Sequence, residues 1–181
     1  MLSYEIKIPR DRVAALIGKK GVTKKELEER TKSTLRVDSK EGEIIIHGED
    51  GVLLYAAQLI IKAIGRGFNP EVAMQLTKQD YAYESISLIE YHEKKNHQER
   101  LKGRVIGREG KSRDIIESLT GTNISVYGKT IGIIGPVDTM GLAKQAIEML
   151  LEGSNHSTVY AFLERKQREL RIAELTGKKG F

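Results

Sequence analysis

Leu16-Ile17-Gly18-Lys19-Lys20-Gly21-Val22-Thr23 and Val105-Ile106-Gly107-Arg108-Glu109-Gly110-Lys111-Ser112 are two versions of one pattern. Each has an apolar pair, a glycine, two polar residues and a second glycine. The copies lie at an offset of 89 residues, which holds from the glycines to Thr31 and Thr120. After a two-residue shortening the offset becomes 87, setting Gly48 against Gly135, Ala56 against Ala143 and Ile60 against Ile147. A repeat that keeps register over this distance predicts two related modules of about 65 residues each. Modules of that size bury only modest cores.

The residues around each loop alternate and recur in a definite order. Ser3 to Pro9 alternates Tyr4, Ile6 and Ile8, the period of a strand. Asp11 is positioned to cap a helix over 12–17, and Thr23 one over 24–31. Thr34–Asp38 and Glu43–His47 read as strands. Beyond Gly48-Glu49-Asp50-Gly51, a helix carries Val52, Ala56, Leu59, Ile60, Ala63 and Ile64 on one face. The predicted order is β-α-α-β-β-α. The second copy repeats it: a strand over 85–91, helices over 99–106 and 112–120, a hairpin around Gly128-Lys129, and a helix capped by Asp138. Between the copies, Asn69-Pro70 starts a short connecting helix reaching about Gln79. After the second, Ser157 opens a helix with Val159, Phe162, Leu163, Leu170 and Ala173 inward and Arg165, Lys166, Arg168 and Arg171 outward. The tail Gly177 to Phe181 is expected to be loose.

Charge is concentrated where the loops are. The chain of 181 residues carries a net +5. Residues 7–25 alone hold +6 and residues 100–113 hold +5, so the remainder is acidic. Such patches fit a polyanionic partner. The absence of cysteine excludes disulfides and thiolate zinc sites. No apolar run approaches a membrane span. Met1 to Pro9 lacks the apolar stretch of a signal peptide, and a cytoplasmic location is the expectation.

Two glycines three apart mean little in a chain with 18 glycines, and five such pairs occur, starting at 18, 48, 107, 132 and 177. Only those at 18 and 107 lie between helices, carry cations and follow isoleucine. There the pattern has a mechanism. Glycine permits a sharp turn and close backbone approach to a ligand. The helix that follows offers unpaired N–H groups and a partial positive charge, which suits a phosphate. The strand beyond it, Leu35-Arg36-Val37 or Ile124-Ser125-Val126, would wall a groove in which unpaired bases are read. No tryptophan is present and no aromatic other than Tyr127 is expected in that groove, which argues against a stacking platform.

Other chemistries fit poorly. Gly110-Lys111-Ser112 resembles the end of a P-loop, but the required glycine five residues earlier is Val105. His92 and His97 are five apart and do not share a helix face as zinc-protease ligands do. His47 and His156 are scattered, and no acidic cluster suggests a two-metal nuclease. No catalytic residue and no cofactor are expected.

The β-α-α-β-β-α order with Ile-Gly-x-x-Gly between its first two helices resembles the type I KH domain, present twice. The implied class is α+β, with a three-stranded antiparallel sheet and three helices in each domain. The implied divisions are 1–67, a linker over 68–84, a second domain over 85–153, and a C-terminal helix and tail over 154–181. Leu101 to Ser112, Thr120-Gly121-Thr122-Asn123-Ile124, Gly153-Ser154 and Val159-Tyr160 resemble the partner-of-Nob family of ribosome assembly factors. So does Ile64-Gly65-Arg66-Gly67-Phe68, and the short two-loop form is similar to archaeal members. That resemblance implies a monomeric, non-enzymatic adaptor binding the 3′ end of small-subunit ribosomal RNA. The implied partners are the Nob endonuclease and the α subunit of initiation factor two. The contact residues it implies are Gly18, Lys19, Lys20, Gly21, Lys24, Lys25 and Arg36 in one copy. In the other they are Arg104, Gly107, Arg108, Glu109, Gly110, Lys111, Ser112 and Arg113. Glu109 departs from an all-basic loop. The alternative is a generic two-KH binder of single-stranded RNA or DNA.

Overall fold

The computed structural model describes residues 1–177. The rest of the tail expected to be loose, and the fifth glycine pair's second member, Gly180, lie outside the described residues. The chain forms two compact units, Met1–Tyr83 and Glu84–Phe181.

In the first unit, β1 (Leu2–Lys7), α1 (Arg10–Ile17), α2 (Val22–Thr31), β2 (Ser33–Asp38), β3 (Glu43–Gly48) and α3 (Gly51–Gly65) follow the expected order. The strands form an antiparallel sheet in the order β1-β3-β2, with Ile6 opposite Ile44 and Leu35 opposite Ile46. β3 is the central strand, and its Ile44 and Ile46, two residues apart and so on one face, are fully buried. Val13, Leu16 and Leu27 seal the core from α1 and α2. Each such side chain contributes about 1.5–3 kcal/mol by leaving water. α4 (Pro70–Ala73) begins as anticipated, with Asn69 Oδ1 accepting from the Glu71 N–H at 3.0 Å, and a 3₁₀ turn carries it to Thr77.

β4 (Tyr81–Ser87) starts three residues before the second unit, which holds the rest of it with α5 (Lys95–Ile106), α6 (Lys111–Thr120), β5 (Asn123–Tyr127), β6 (Thr130–Pro136), α7 (Val137–Leu151) and α8 (His156–Thr176). Its sheet order is β4-β6-β5. The strand expected over 85–91 begins earlier, at Tyr81, and ends where Leu88–Glu90 forms a 3₁₀ turn. α5 also starts four residues early. Its inward residue there is Gln98, 2% exposed, whose amide donates to the carbonyls of His92 and Glu93. A polar residue facing inward leaves no apolar period to detect.

The starts of α1, α7 and α8 differ from the caps expected. Pro9 and Pro136 precede α1 and α7, so Asp11 and Asp138 fall inside first turns, and α8 opens one residue before Ser157. The face of α3 is also rotated. Leu54, Ala57, Ile60, Ile61 and Ile64 are buried, whereas Val52 is 79% exposed. The corresponding residues of α7 are Met140, Ala143, Ala146, Ile147 and Leu150. The offset inside these helices is therefore 86 rather than 87, and Ala57, not Ala56, matches Ala143. The lost residue lies at the helix start. Asp50 caps α3 by accepting from Val52 and Leu53 N–H at 2.9 and 3.1 Å, where the second unit turns directly through Pro136.

Candidate nucleic-acid interface

The two glycine loops have the same backbone. Gly18 and Gly107 both take φ +74 with ψ near 180, a region open essentially to glycine. Lys19–Gly21 and Arg108–Gly110 then make one 3₁₀ turn. Lys20 and Glu109 sit in the left-handed region at φ +55, and Gly21 and Gly110 at φ +76. The turn is pinned at both ends: Gly18 N–H donates to Ala14 O at 2.9 Å and Gly21 N–H to Gly18 O at 3.2 Å. Gly107 and Gly110 repeat this with Gly103 and Gly107 at 2.9 and 3.3 Å.

α2 and α6 start immediately after the second glycine, and neither has a side-chain cap. Thr23, expected to cap α2, is instead its second residue and packs against Gly18. Ser112 packs against Gly107 in the same way. The first N–H of each helix is taken by the turn, Val22 by Lys19 O and Lys111 by Arg108 O, and the N–H groups that follow have no capping side chain, an arrangement that suits an anion.

The cations around each loop divide into structural and open ones. Arg12 donates from Nε to Ile64 O at 2.8 Å and from Nη2 to Phe68 O at 2.9 Å. Lys7, Arg10 and Lys24 pair with Glu43, Glu41 and Glu28. Among the described residues, Lys19, Lys20 and Lys25 form no ion pair and are exposed, as is Arg36 on β2. In the second unit Lys102 pairs with Glu99 at 2.8 Å, and this bond holds the Glu99 carboxyl below its usual range. Among the described residues, Arg100, Arg108 and Lys111 are exposed without an ion pair.

Arg104, grouped with the contact residues in the sequence, is turned into the fold. Its Nε donates to Leu150 O at 2.9 Å and its Nη2 to Ser154 O at 2.6 Å, while its own carbonyl meets His156 Nε2 at 2.8 Å. Ser112 is likewise buried against Gly107, and Arg113 is half-buried with Asp114 Oδ1 at 3.8 Å from its Nε. The histidines of the zinc-protease resemblance, His92 and His97, stack ring on ring at 3.9 Å.

Two carboxylates not singled out from sequence, Glu28 and Glu117, fix the groove wall expected from Leu35–Val37 and Ile124–Val126. Glu28 Oε1 accepts from the Leu35 N–H at 2.7 Å, and Glu117 Oε1 from the Ile124 N–H at 2.8 Å. These bonds tie α2 to β2 and α6 to β5. Behind them, Thr31 and Ser33 share a hydroxyl hydrogen bond at 2.7 Å, and Thr120 and Thr122 one at 2.8 Å. Period-two alternation then turns the backbone groups of Val37 and Val126 to the same free edge as those of Leu35 and Ile124. Only the recurrence of Glu28 as Glu117 at offset 89 could have drawn attention to this pair.

In the second unit, α8 adds a further wall. An open groove of about 620 Å³ runs beside the loop, lined by Arg108, Lys111, Ile115, Leu119, Tyr160 and Glu164 among others. Tyr160 places an aromatic ring on this groove between α6 and α8, which is distinct from the groove between α6 and β5 expected from sequence. Arg108, Glu109 and Lys111 remain exposed beside it.

Residues 82–168 match the family model described as a eukaryotic type KH domain (KH-domain type I), and residues 3–62 match the KH domain model. A KH domain-containing protein of Methanocaldococcus jannaschii is 47% identical over 180 residues, covering 96% of this chain and 79% of the relative. A chain of the crystal structure of the a/eIF2α–aDim2p–rRNA complex from Pyrococcus horikoshii OT3 superposes with a TM-score of 0.86. It is 45% identical, with 93% of this chain and 95% of that one covered. This chain belongs to the two-KH family of archaeal Dim2p and PNO1. The pre-rRNA-processing protein pno1 of Aspergillus fumigatus is 31% identical over 110 residues, which span 58% of this chain but only 43% of that relative.

Set in the Dim2p–PNO1 family, the paired glycine loops are the loops of two KH domains, each followed directly by an uncapped helix. Among the described residues no helix is long and apolar enough to cross a membrane, and no cluster of three metal-ligating side chains occurs.

Proposed function

We propose that this protein is a single-strand RNA-binding adaptor of small-subunit ribosome assembly, gripping the 3′ end of the small-subunit rRNA. The observation that carries the reading is the identity of the two loop backbones, each presenting open cations and uncapped helix N–H groups. A related chain occurs in a complex with rRNA and a/eIF2α, and a eukaryotic relative bears the name pre-rRNA-processing protein. In this reading the open cations Lys19, Lys20 and Lys25 hold phosphates in the first domain, with Arg36 across the groove. Arg108 and Lys111 do so in the second. Bases lie between α2 and β2, or α6 and β5, and are read by the edges of Val37 and Val126.

The chain then works by binding. It presents the rRNA end to a Nob-type endonuclease and docks the α subunit of initiation factor two, acting as a monomer in the cytoplasm. Domain limits near residues 67 and 85, with a linker between, complete the proposal.

The test is to reverse charge at one loop at a time. Lys19→Asp with Lys20→Asp, and Arg108→Asp with Lys111→Asp, alter exposed side chains and should leave both domains folded. Each pair should weaken binding of an rRNA 3′-end oligonucleotide and flatten its salt dependence by about 0.7 in log–log slope for every phosphate no longer neutralised. Competition with random RNA and with DNA of equal length separates this reading from a generic single-strand binder. Unchanged affinity in both variants would end it.

A further inference from the structure

Helix α8 has a groove on each side. The first runs beside the loop of the second domain. The second, about 630 Å³, lies between α8 and the end of α7. Its lining includes Arg165 and Arg168, the hydroxyl residues Ser157 and Thr158, and the apolar Phe162 and Met149. Among the described residues no carboxylate lines it.

The two arginines are three residues apart, so both guanidiniums rise from one face of the helix. Both residues are exposed, and among the described residues neither forms an ion pair. Of the acids next to them on α8, Glu169 bonds Lys166 at 3.1 Å, and Glu164 lines the opposite groove. Two unneutralised guanidiniums side by side repel each other and suit a bidentate anion such as a phosphodiester. Phe162 is half-buried beside them and offers a ring for a base.

We infer that this groove is a second RNA contact of the second domain. It takes the stretch of strand beyond the glycine loop, with phosphates on Arg165 and Arg168 and a base against Phe162 and Met149. The two grooves flank one helix, because Tyr160 and Glu164 of α8 line the loop groove. An acidic protein segment would also meet two arginines, but this link through α8 to the proposed phosphate-gripping loop favours the nucleic acid. The inference rests on the RNA-binding reading proposed for the two loops.

The experiment compares the full chain with Arg165→Glu/Arg168→Glu and Arg165→Lys/Arg168→Lys. Two RNAs are used, one of about four nucleotides, the length one loop clamps, and one about three times longer. The reversed-charge variant should bind the short RNA as the parent does. It should bind the longer one about tenfold more weakly, with a salt slope lower by about 1.4, or about 0.7 for each of two phosphates. The lysine variant should recover most of the affinity. Equal binding of the longer RNA by the parent and the reversed-charge variant overturns the inference while leaving the loops untouched. Capture of polyglutamate that depends on Arg168, with RNA binding unaltered, overturns it in favour of an acidic protein. Weakened RNA binding only in the loop variants would support the loop reading and overturn this one, and weakening in neither set would remove both.

Discussion

Thr23 occupies the space that a side chain on Gly18 would need: a β-carbon built there would fall 2.7 Å from Thr23 Cβ. Ser112 stands against Gly107 at the same distance. The first glycine of each loop is thus required twice, by its φ of +74 and by the residue that closes over it. The second glycine is required once, since nothing lies within 4 Å of a β-carbon on Gly21.

Alanine substitutions should separate these demands. Gly21→Ala meets only left-handed strain and should cost about 1–2 kcal/mol. Gly18→Ala adds steric overlap in a region closed to alanine and should cost about 3 kcal/mol or more. Chemical denaturation of the two variants checks the order, and equal destabilisation would remove the proposed role of Thr23.

The third loop position carries the clearest difference between the domains. Lys20 and Glu109 share the same left-handed geometry and the same exposure, but opposite charge. Glu109→Lys should therefore tighten RNA binding and steepen its salt slope by about 0.7. Lys20→Glu should do the reverse. Since both side chains are exposed, thermal unfolding should hardly move. An affinity unaffected by Glu109→Lys would mean that this side chain points away from the strand.

Arg104 and Lys111 lie close in sequence but should fail in different assays. Arg104 ties α5 to the carbonyls of Leu150 and Ser154, so Arg104→Ala should destabilise the second domain by about 2 kcal/mol. Lys111 is exposed and, among the described residues, forms no ion pair, so Lys111→Ala should weaken RNA binding with stability unchanged. Denaturation curves set beside binding isotherms distinguish the two.

The repeat made the order of elements and both loops legible, because glycine geometry leaves a fixed sequence signature. Burial of the cations was not legible. Arg12 and Arg104 lie six and three residues before their loops, out of register, yet they donate to equivalent carbonyls at the ends of α3 and α7. A guanidinium has enough reach to serve the same acceptor from two helix positions, so sequence spacing cannot reveal which arginines are spent inside. The phase of α3 was hidden for the opposite reason. Leu53, Leu54, Ala56, Ala57, Leu59, Ile60 and Ile61 give apolar residues on most sides, and only packing against β3 selects a face.

The docking of α8 follows from two exchanges on the helix after the loop. Glu26 and Arg30 form an exposed ion pair at 2.7 Å on α2, and their counterparts on α6 are Ile115 and Leu119, which face Tyr160 across the groove. α8 is held by the fully buried Val159 and by Leu163, 1% exposed, while its far end leaves Ile172 and Leu175 exposed, and Leu170, expected inward, is 38% exposed. Ile115→Glu with Leu119→Arg would recreate the first domain's surface beneath α8. The charged pair would have to lose water to keep α8 in place, a cost that exceeds the worth of one exposed ion pair. α8 should therefore loosen while the sheet stays intact. Amide exchange should rise across residues 156–165 but not across β6. Unaltered protection of α8 would show that its packing on α7 alone suffices to hold it.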